Sequence, residues 1–155
     1  MAAPITLKAE DKLQIIELSS RYNKTLDHRD VDGWLETWIE DGTIETPFGN
    51  AKGRTSLRVF LNGYFGIAKG KRHWTSNYMI FEGDNRGSNT VSTSTTTDYT
   101  SATMSCDLII FKTEEIPTIF TTGIYVDELK KIRNIWKFSS RKLNLDSMSW
   151  HRTSS

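Results

Sequence analysis

The amino-acid sequence predicts an α+β fold in which N-terminal helices pack against a strongly curved, mostly antiparallel sheet. Apolar residues within the first 68 positions recur mostly at helical spacing. Beyond Arg72 the pattern changes to successive strands separated by turns. A block of helices followed by a run of strands is typical of the α+β class. The length of 155 residues fits a single domain, residues 1–155, with its core over about residues 8–146.

The first helix is predicted over residues 8–27. On a helical wheel, four residues fall in one narrow arc and define the buried side: Ile15, Leu18, Tyr22 and Leu26. Charged residues occupy the opposite side, except Asp27, which lies at the margin of the buried arc beside Ile16. An acid in that position either turns toward the interior or faces water at the end of the helix.

Two more helices and a short hairpin complete the N-terminal half. The second helix is predicted over residues 31–39, with Asp30 as its N-cap. Residues 43–46 predict a strand, and a turn at residues 47–50 leads into a short return strand. The third helix is predicted over residues 55–68, where apolar residues recur every three or four positions: Leu57, Phe60, Leu61, Tyr64 and Phe65.

The C-terminal half predicts strands over residues 73–82, 88–105, 106–111, 119–129 and 135–143. The second of these segments holds 12 Ser or Thr among its 18 residues, and β-branched threonines favour strand over helix. A turn at residues 83–87 connects the first two strands. Arg133 and Asn134 form the turn of the final hairpin, where Asn tolerates a left-handed conformation.

Composition excludes several classes of protein. The chain has 20 basic and 19 acidic residues, a formal charge of +1, and therefore lacks the basic excess of a nucleic-acid-binding domain. No apolar run approaches the roughly 18 residues of a membrane-spanning helix, and no signal peptide is visible. The single cysteine, Cys106, excludes a disulfide framework and Cys-rich zinc modules. We therefore expect a protein of the reducing cytoplasm.

The sequence predicts neither a metal site nor a cofactor site. The three histidines, His28, His73 and His151, show no recognised metal-binding spacing. There is no phosphate-binding loop, and the glycines at positions 83 and 87 belong to a hairpin rather than to a dinucleotide-binding motif. Cys106 lies in an apolar strand, so we expect an inert thiol rather than a nucleophile.

One acid and one histidine are the strongest candidates for chemistry. If the first helix crosses the concave face of the sheet, its last turn brings Asp27 toward His73 at the start of the first long strand. A carboxylate that accepts from Nδ1–H fixes the tautomer and leaves Nε2 free as a general base. The other interpretation is an exposed acid at a helix end and a histidine at an interface. Spacing alone leaves both interpretations open.

Strand alternation places two further polar residues. Counting in steps of two from His73 puts Thr75 and Asn77 on the same face of the strand. Asn77 would there either orient a substrate carbonyl or hydroxyl or satisfy a buried backbone group. Counting from Trp136 puts Arg141 on the opposite face of the last strand, so we expect this residue at the surface and not as an anion anchor.

Five short segments together resemble a known family, and the resemblance covers residues 10–145. They are, in order, RYNKTLD at residues 21–27, WLETW at 34–38, PFG at 47–49, RHWTSN at 72–77 and WKFSSR at 136–141. In this order they resemble the SnoaL-like branch of the NTF2-like superfamily. That branch includes scytalone dehydratase, a hexachlorocyclohexane dehydrochlorinase, bile-acid 7α-dehydratase and polyketide cyclases. The resemblance implies a cone-shaped, cystatin-like roll.

The resemblance also implies roles for particular residues. In the lyases of this family, the acid and the histidine at the positions of Asp27 and His73 form the catalytic dyad. Tyr22 matches a tyrosine that hydrogen-bonds substrate in some dehydratases. Scytalone dehydratase uses a second pocket histidine that this sequence lacks, so the acid would be Tyr22 or protonated His73. Three aromatic residues fall where this fold lines its cavity, unless they are ordinary core: Trp38, Phe48 and Phe65.

The resulting prediction is a cofactor-independent lyase of the dehydratase type, or an isomerase or cyclase, acting on a hydrophobic cyclic small molecule. The alternative is a non-catalytic module that binds a small molecule or docks a protein. A more remote alternative is a structural subunit like the small subunit of ring-hydroxylating dioxygenases. We expect a homodimer or homotrimer in each case, because relatives assemble through the sheet surface that the Ser/Thr-rich strand exposes, and we expect no nucleic-acid or membrane partner.

Overall fold

The structure is a computed structural model, which describes residues 7–83 and 100–147 of the chain. Three helices and six strands lie within these residues. In chain order they are α1 (Ala9–Asp27), α2 (Val31–Leu35), β1 (Trp38–Thr46), β2 (Gly49–Lys52), α3 (Arg54–Ala68), β3 (Lys71–Glu82), β4 (Ser101–Lys112), β5 (Thr118–Ile132) and β6 (Ile135–Leu145). Helices come first and long strands follow, which confirms the predicted α+β class.

The six strands form one sheet in the order β2-β1-β6-β5-β4-β3. All neighbouring strands are antiparallel except β1 and β6, which pair in parallel. The hairpin between β5 and β6 turns at Arg133 and Asn134, with φ values of 50° and 66°. Two residues with positive φ are what a two-residue type I′ turn requires, so the predicted hairpin is confirmed.

The helices cover one face of the sheet, which we call the inner face, and none of the helices in residues 7–83 and 100–147 lies on the other, the outer face. Helix α1 packs against β3 and β6, and α3 packs against β1 and β2. The main core lies between these layers and is rich in aromatic rings. Tyr22 and Phe138 have ring centroids 5.5 Å apart, and Trp34 and Trp38 have theirs 5.3 Å apart. The buried arc predicted for α1 is confirmed, because Ile15, Leu18, Tyr22 and Leu26 are all buried.

Irregular pairing interrupts the sheet where residues are added to one strand. The register shifts between Ser76 and Met79 in β3, and again where Glu128 and Leu129 of β5 face β6. Such β-bulges bend a strand and increase its twist, which curves the sheet around the helices. A bulge also reverses the alternation of side chains beyond it, and this determines which residues reach the inner face.

The predicted end of the second helix is wrong, and part of one predicted strand lies outside the described residues. The second helix ends at Leu35 rather than at residue 39, and Trp38 instead begins β1. Pairing with β6 replaces the helix there, because Trp38 lies opposite Phe138 and the Phe138 N–H donates to the Thr37 carbonyl at 2.8 Å. The predicted strands over residues 88–105 and 106–111 are not separate, because residues 101–105 and 106–111 lie together in β4. Residues 88–99, the turn residues 84–87 and His151 lie outside the described residues.

None of the three helices in the described part of the chain is long and apolar enough to cross a membrane.

Candidate active site

Asp27 and His73 are in direct contact on the inner face of the sheet. Asp27 is the last residue of α1, and His73 lies near the start of β3. The His73 Nδ1 atom is 2.7 Å from Asp27 Oδ1, and the His73 backbone N–H donates to the same carboxylate at 3.2 Å and 3.3 Å. The side chains are 12% and 1% exposed for Asp27 and His73, respectively. The expected contact between the two residues is therefore present in the structure.

This geometry fixes the state of the imidazole. A carboxylate accepts hydrogen bonds, so the His73 nitrogen that faces Asp27 carries the proton and donates. In the neutral ring the proton is then on Nδ1, and Nε2 is left as the acceptor. The second hydrogen bond, from the His73 backbone N–H, holds the carboxylate in the plane of this contact. The pair thus presents one basic nitrogen, Nε2, away from α1.

Tyr64 of α3 contacts that nitrogen. Its hydroxyl oxygen lies 2.9 Å from His73 Nε2, and both groups are buried. Burial raises the pKa of Tyr64, so its hydroxyl stays protonated and donates to the imidazole. The sequence placed Tyr64 only among the apolar positions of the third helix, because periodicity shows that a residue is buried but not what its polar end contacts.

A small cavity lies between the helices and the sheet beside this contact. Tyr22 and Tyr64 line it from α1 and α3, and Phe48 lines it from the turn between β1 and β2. The other lining residues are mostly apolar: Leu26, Trp34, Ile44, Thr46, Phe60, Leu61, Tyr125 and Leu143. About 10 Å³ is open to the centre of a water molecule, which is room for about one water. The cavity is therefore nearly closed in this conformation.

Tyr22 lies at the inner end of this cavity, where it is 3% exposed. Its ring packs against Trp34, with centroids 5.4 Å apart, and against the guanidinium group of Arg141, whose central carbon is 4.4 Å from the ring centroid. Burial raises the pKa of Tyr22, and the positive charge of Arg141 offsets this only in part. Tyr22 is thus a neutral hydroxyl group at neutral pH, as a hydrogen-bond donor must be.

Arg141 is completely buried, which corrects the prediction of a surface residue. Its guanidinium donates from Nε and Nη2 to the two carboxylate oxygens of Asp127, both at 2.8 Å. The cause is a bulge: Glu128 pairs with Ser140 and Leu129 with Phe138, so Ser139 is an extra residue in β6. This residue reverses the alternation of the strand and turns Arg141 to the inner face.

Two buried donors lie close to the Tyr22 hydroxyl group, and neither makes a well-formed hydrogen bond among the described residues. They are Nη1 of Arg141 and Nε1 of Trp34. Trp34 lines the cavity, and the guanidinium packs on the rings of Tyr22 and Tyr125, which also line it. A buried donor without an acceptor is costly, and it becomes satisfied when an oxygen atom occupies the space before it. The Trp34 indole, which lines the cavity, is therefore available to donate to an oxygen acceptor such as a carbonyl.

Two of the predicted cavity aromatics lie elsewhere. Trp38 is buried behind Tyr22, with ring centroids 6.1 Å apart, and belongs to the core, which was the other interpretation of this residue. Phe65 is half-buried at the edge of α3, where the guanidinium of Arg29 lies 5.5 Å from its ring. Neither residue lines the cavity, whereas Phe48 does. The cause for Phe65 is its position one residue beyond Tyr64, which turns it away by about 100° on the helix.

The expectation that Asn77 shares the face of His73 is wrong. The bulge in β3 leaves Asn77 and Tyr78 opposite a single residue of β4. Asn77 adopts a left-handed conformation with φ of 53° and is exposed, and its Nδ2 donates to Asp107 at 2.6 Å. Thr75, before the bulge, does stay on the inner side, where its Oγ1 accepts from Asn23 at 2.9 Å.

The remaining chemical candidates are a thiol and the metal ligands. Burial raises the pKa of the Cys106 thiol to about 11, so the thiolate form is scarce at neutral pH. Within residues 7–83 and 100–147, no group of three or more His, Cys, Asp and Glu side chains is placed to hold a metal ion.

Helices on one face of a mixed sheet, with an acid–imidazole pair beside an apolar cavity, define a cystatin-like fold with a candidate active site. Residues 8–142 match the model of the SnoaL-like domain, and the chain belongs to this family. Among curated proteins, none matches the sequence significantly.

Solved structures show the same architecture. A Nostoc punctiforme protein of unknown function with a cystatin-like fold is 30% identical, with a TM-score of 0.79, over 93% of this chain and 97% of that one. ActVI-ORFA from Streptomyces coelicolor is 17% identical, with a TM-score of 0.71, over 87% of this chain and 97% of that one. A Novosphingobium aromaticivorans protein provisionally named as a scytalone dehydratase is 22% identical, with a TM-score of 0.68, over 89% of this chain and 85% of that one.

Proposed function

We propose that the protein is a cofactor-independent lyase of the dehydratase type, or an isomerase or cyclase, that acts on a hydrophobic cyclic small molecule. His73 is the general base, and Asp27 orients it. The observation that carries this proposal is the 2.7 Å contact between Asp27 Oδ1 and His73 Nδ1, which leaves Nε2 as an acceptor in contact with Tyr64, a residue that lines the cavity. The proposal assigns no step to a metal or an organic cofactor, and we expect the reaction in the cytoplasm.

The burial of the pair supports a functional role. An imidazole and a carboxylate at 1% and 12% exposure have lost most of their contact with water. Removing such groups from water is unfavourable, and apolar residues of similar volume would be at least as stable there. A general base, in contrast, gains from this arrangement, because the adjacent carboxylate stabilises the imidazolium that forms when the base takes a proton.

The groups around the cavity suit one proton transfer. His73 Nε2 would take a proton from a substrate hydroxyl, or from a carbon, next to a carbonyl or leaving group, and negative charge would then develop on a substrate oxygen. The Trp34 indole N–H, which lacks a well-formed hydrogen bond among the described residues, would donate to that oxygen from the cavity wall. Tyr22, kept neutral by its raised pKa, would donate a hydrogen bond to a leaving hydroxyl. The name of the Novosphingobium relative is consistent with elimination of water.

The apolar lining supports a hydrophobic ring as the substrate. Phe48 and Tyr64 lie with ring centroids 5.2 Å apart, and Phe60 stacks on Tyr64 at 6.1 Å and 5° between planes. Aromatic side chains arranged in this way form offset contacts with a planar or cyclic ligand. Since the cavity has room for about one water, these rings must separate when such a ligand enters.

The small volume of the cavity also favours the second candidate, a binding module without turnover. In that case the cavity would open for a ligand, but Tyr64 would remain on His73 Nε2, where its oxygen lies at 2.9 Å. The two candidates therefore differ in whether a bound ligand reaches Nε2 and is converted.

A substrate screen distinguishes them. Hydroxylated and halogenated cyclic compounds are incubated with the wild type, with His73→Ala and with His28→Ala, and products are followed by mass spectrometry. His28 is the matched control, because it is an exposed histidine next to Asp27 in the chain, and its side chain hydrogen-bonds only the Lys24 carbonyl among the described residues. We expect turnover by the wild type and His28→Ala, and a loss of about 10²–10⁴-fold in His73→Ala.

Two outcomes contradict the enzymatic proposal. Turnover that survives in His73→Ala would reject His73 as the base. Compounds that bind the wild type tightly and are recovered unchanged would support the binding module instead.

A further inference from the structure

Tyr64 stands between the cavity and the proposed base. Its ring lines the cavity, whereas its hydroxyl oxygen lies 2.9 Å from His73 Nε2. His73 itself does not line the cavity. A ligand that enters the cavity in this conformation would meet the Tyr64 ring and could not reach Nε2.

A proton relay through Tyr64 does not remove this obstacle. For Tyr64 to act as the base in place of His73, it would have to give its own proton to the imidazole. Burial raises the pKa of the Tyr64 hydroxyl above the ordinary value of tyrosine, which makes the loss of its proton unfavourable. The Tyr64 hydroxyl must therefore leave Nε2 before His73 can accept a proton.

The helix around Tyr64 is built in a way that permits this movement. Gly63 and Gly66 lie in α3 on either side of Tyr64, and a Cβ atom at either position would meet no atom within 4 Å. Close packing therefore does not require these glycines. Glycine is the least favourable helical residue after proline, so the pair weakens the helix at the segment that carries Tyr64.

We propose that Tyr64 is a latch, a side chain that occupies the place of a substrate hydroxyl on His73 Nε2 and swings out when substrate enters. The inference rests on the proposed function only in that it takes His73 as the group that substrate must reach. It also specifies the substrate class. Because Nδ1–H is given to Asp27, Nε2 accepts hydrogen bonds, so the ligand must bring a donor. The site therefore selects a ring compound with a free hydroxyl group over its methyl ether.

The first test uses Tyr64→Phe, which keeps the ring and removes the hydroxyl group that forms the latch. The probe is p-cresol, a phenol with the shape of the tyrosine side chain, and its affinity is measured by NMR titration. The matched control is Tyr78→Phe, which removes another buried hydroxyl contact, that of Tyr78 with Thr75 at 2.7 Å, and leaves His73 untouched. We expect Tyr64→Phe to bind p-cresol about fivefold more tightly than the wild type, since one hydrogen bond no longer has to be broken.

The control should bind p-cresol as the wild type does. Equal or weaker binding by Tyr64→Phe would overturn the latch, because the hydroxyl would then be a structural contact that the ligand does not displace. These measurements need no turnover, so they are separate from the substrate screen. A failed screen with tighter binding by Tyr64→Phe would reject the enzyme and keep the latch.

The second test locates the ligand hydroxyl group. Tyr64→Ala opens a space the size of a phenol beside Nε2, and the ¹⁵N resonance of His73 Nε2 is followed while p-cresol or toluene is added. Toluene has the same ring and methyl group without the hydroxyl. We expect p-cresol to shift this resonance and toluene to leave it nearly unchanged. Equal shifts with both compounds would contradict the proposed hydroxyl contact. If Tyr64→Ala does not fold, the comparison of Tyr64→Phe with Tyr78→Phe decides the question alone.

Discussion

Arg141 is the residue whose environment is most demanding. Its side chain and that of Asp127 are both fully buried, and the two are joined by two hydrogen bonds of 2.8 Å. The guanidinium also lies 3.9 Å from the ring centroid of Tyr125 and 4.2 Å from that of Phe138. The pair holds the guanidinium against the rings of Tyr22 and Tyr125, which line the cavity, and a buried guanidinium can stay there only while its charge is balanced.

Removing the carboxylate that balances the Arg141 charge should destabilise the fold. Asp127→Asn leaves the Arg141 charge buried without a carboxylate, and we expect a loss of about 3–5 kcal/mol in the free energy of unfolding. Urea denaturation followed by tryptophan fluorescence measures it. The neighbouring exposed acid Glu128 provides the control, since Glu128→Gln should change stability by no more than about 0.5 kcal/mol. Equal stability of the two variants would show that the buried ion pair does not hold Arg141.

At the scale of single residues, the sequence predicts the contact between residues at the ends of a helix and a strand. It does not predict the faces of residues that lie in or beyond a β-bulge. Asp27 ends a helix and His73 begins a strand, so their approach followed from the fold that the resemblance implied. Alternation gives the wrong face for both Asn77, which lies in the bulge of β3, and Arg141, which lies beyond the bulge of β6 where the alternation is reversed. Ser139, the extra residue in β6, is neither glycine nor proline and gives no signal of a bulge in the sequence.

At the scale of the elements, a buried acid joins α1 to the hairpin end of β5 and β6. Asp11, in the first turn of α1, accepts from the Lys131 ammonium at 2.8 Å and from Trp136 Nε1 at 2.9 Å. Burial alone would raise the pKa of Asp11, but these hydrogen bonds and the Lys131 charge outweigh it and lower the pKa. The contact fixes the N-terminal end of α1, while Asp27 fixes its other end.

The lowered pKa of Asp11 makes this contact sensitive to acid. A carboxyl group with a lower pKa in the folded state stabilises the fold above its ordinary pKa of 3.8, and the stabilisation is lost as the pH falls through the folded value. We therefore expect Asp11→Asn to cost about 1–2 kcal/mol at pH 7 and progressively less below about pH 4. Urea denaturation at pH 7 and at pH 3 measures the difference.

Glu17→Gln, in an exposed acid of the same helix, should leave stability nearly unchanged at either pH. A cost for Asp11→Asn that is the same at pH 7 and pH 3 would contradict the assignment of this stabilisation to the ionised carboxylate.

The types and order of the elements could be predicted well, because period and turn signals are local properties. The boundary between α2 and β1 could not. Trp34 and Leu35 fit a helix, and Trp38 extends the same spacing, so the sequence favoured a helix to residue 39. The parallel pairing of Trp38 with Phe138 joins residues 100 positions apart, and no local pattern announces such a contact. The Tyr64 latch has the same origin, since it depends on how α3 is placed over β3.

For the whole molecule, the outer face of the sheet carries several exposed apolar side chains among polar ones, and none of the three described helices covers it. Cross-strand pairing puts Met79, Ser105 and Val126 in one row of this face, and Ile124 lies in the next row. Met79 and Val126 are about half exposed, at 55% and 50%, and Trp74 on the same face is 64% exposed. Contiguous exposed apolar surface of this kind marks an interaction site more often than a solvated face.

We propose that copies of this chain assemble through this outer face, which is the self-association expected from the sequence. Val126→Glu places a charge at the centre of the face, where pairing two copies would bury it without a partner, and we expect it to convert an oligomeric wild type to monomers. Light scattering coupled to size-exclusion chromatography gives the masses.

Val59→Glu is the control, because Val59 is 69% exposed on α3, away from the sheet. A monomeric wild type, or an unchanged oligomer in Val126→Glu, would show that this face does not mediate assembly. Since His73 points to the inner face and Trp74 to the outer one, the oligomeric state should change without loss of p-cresol binding.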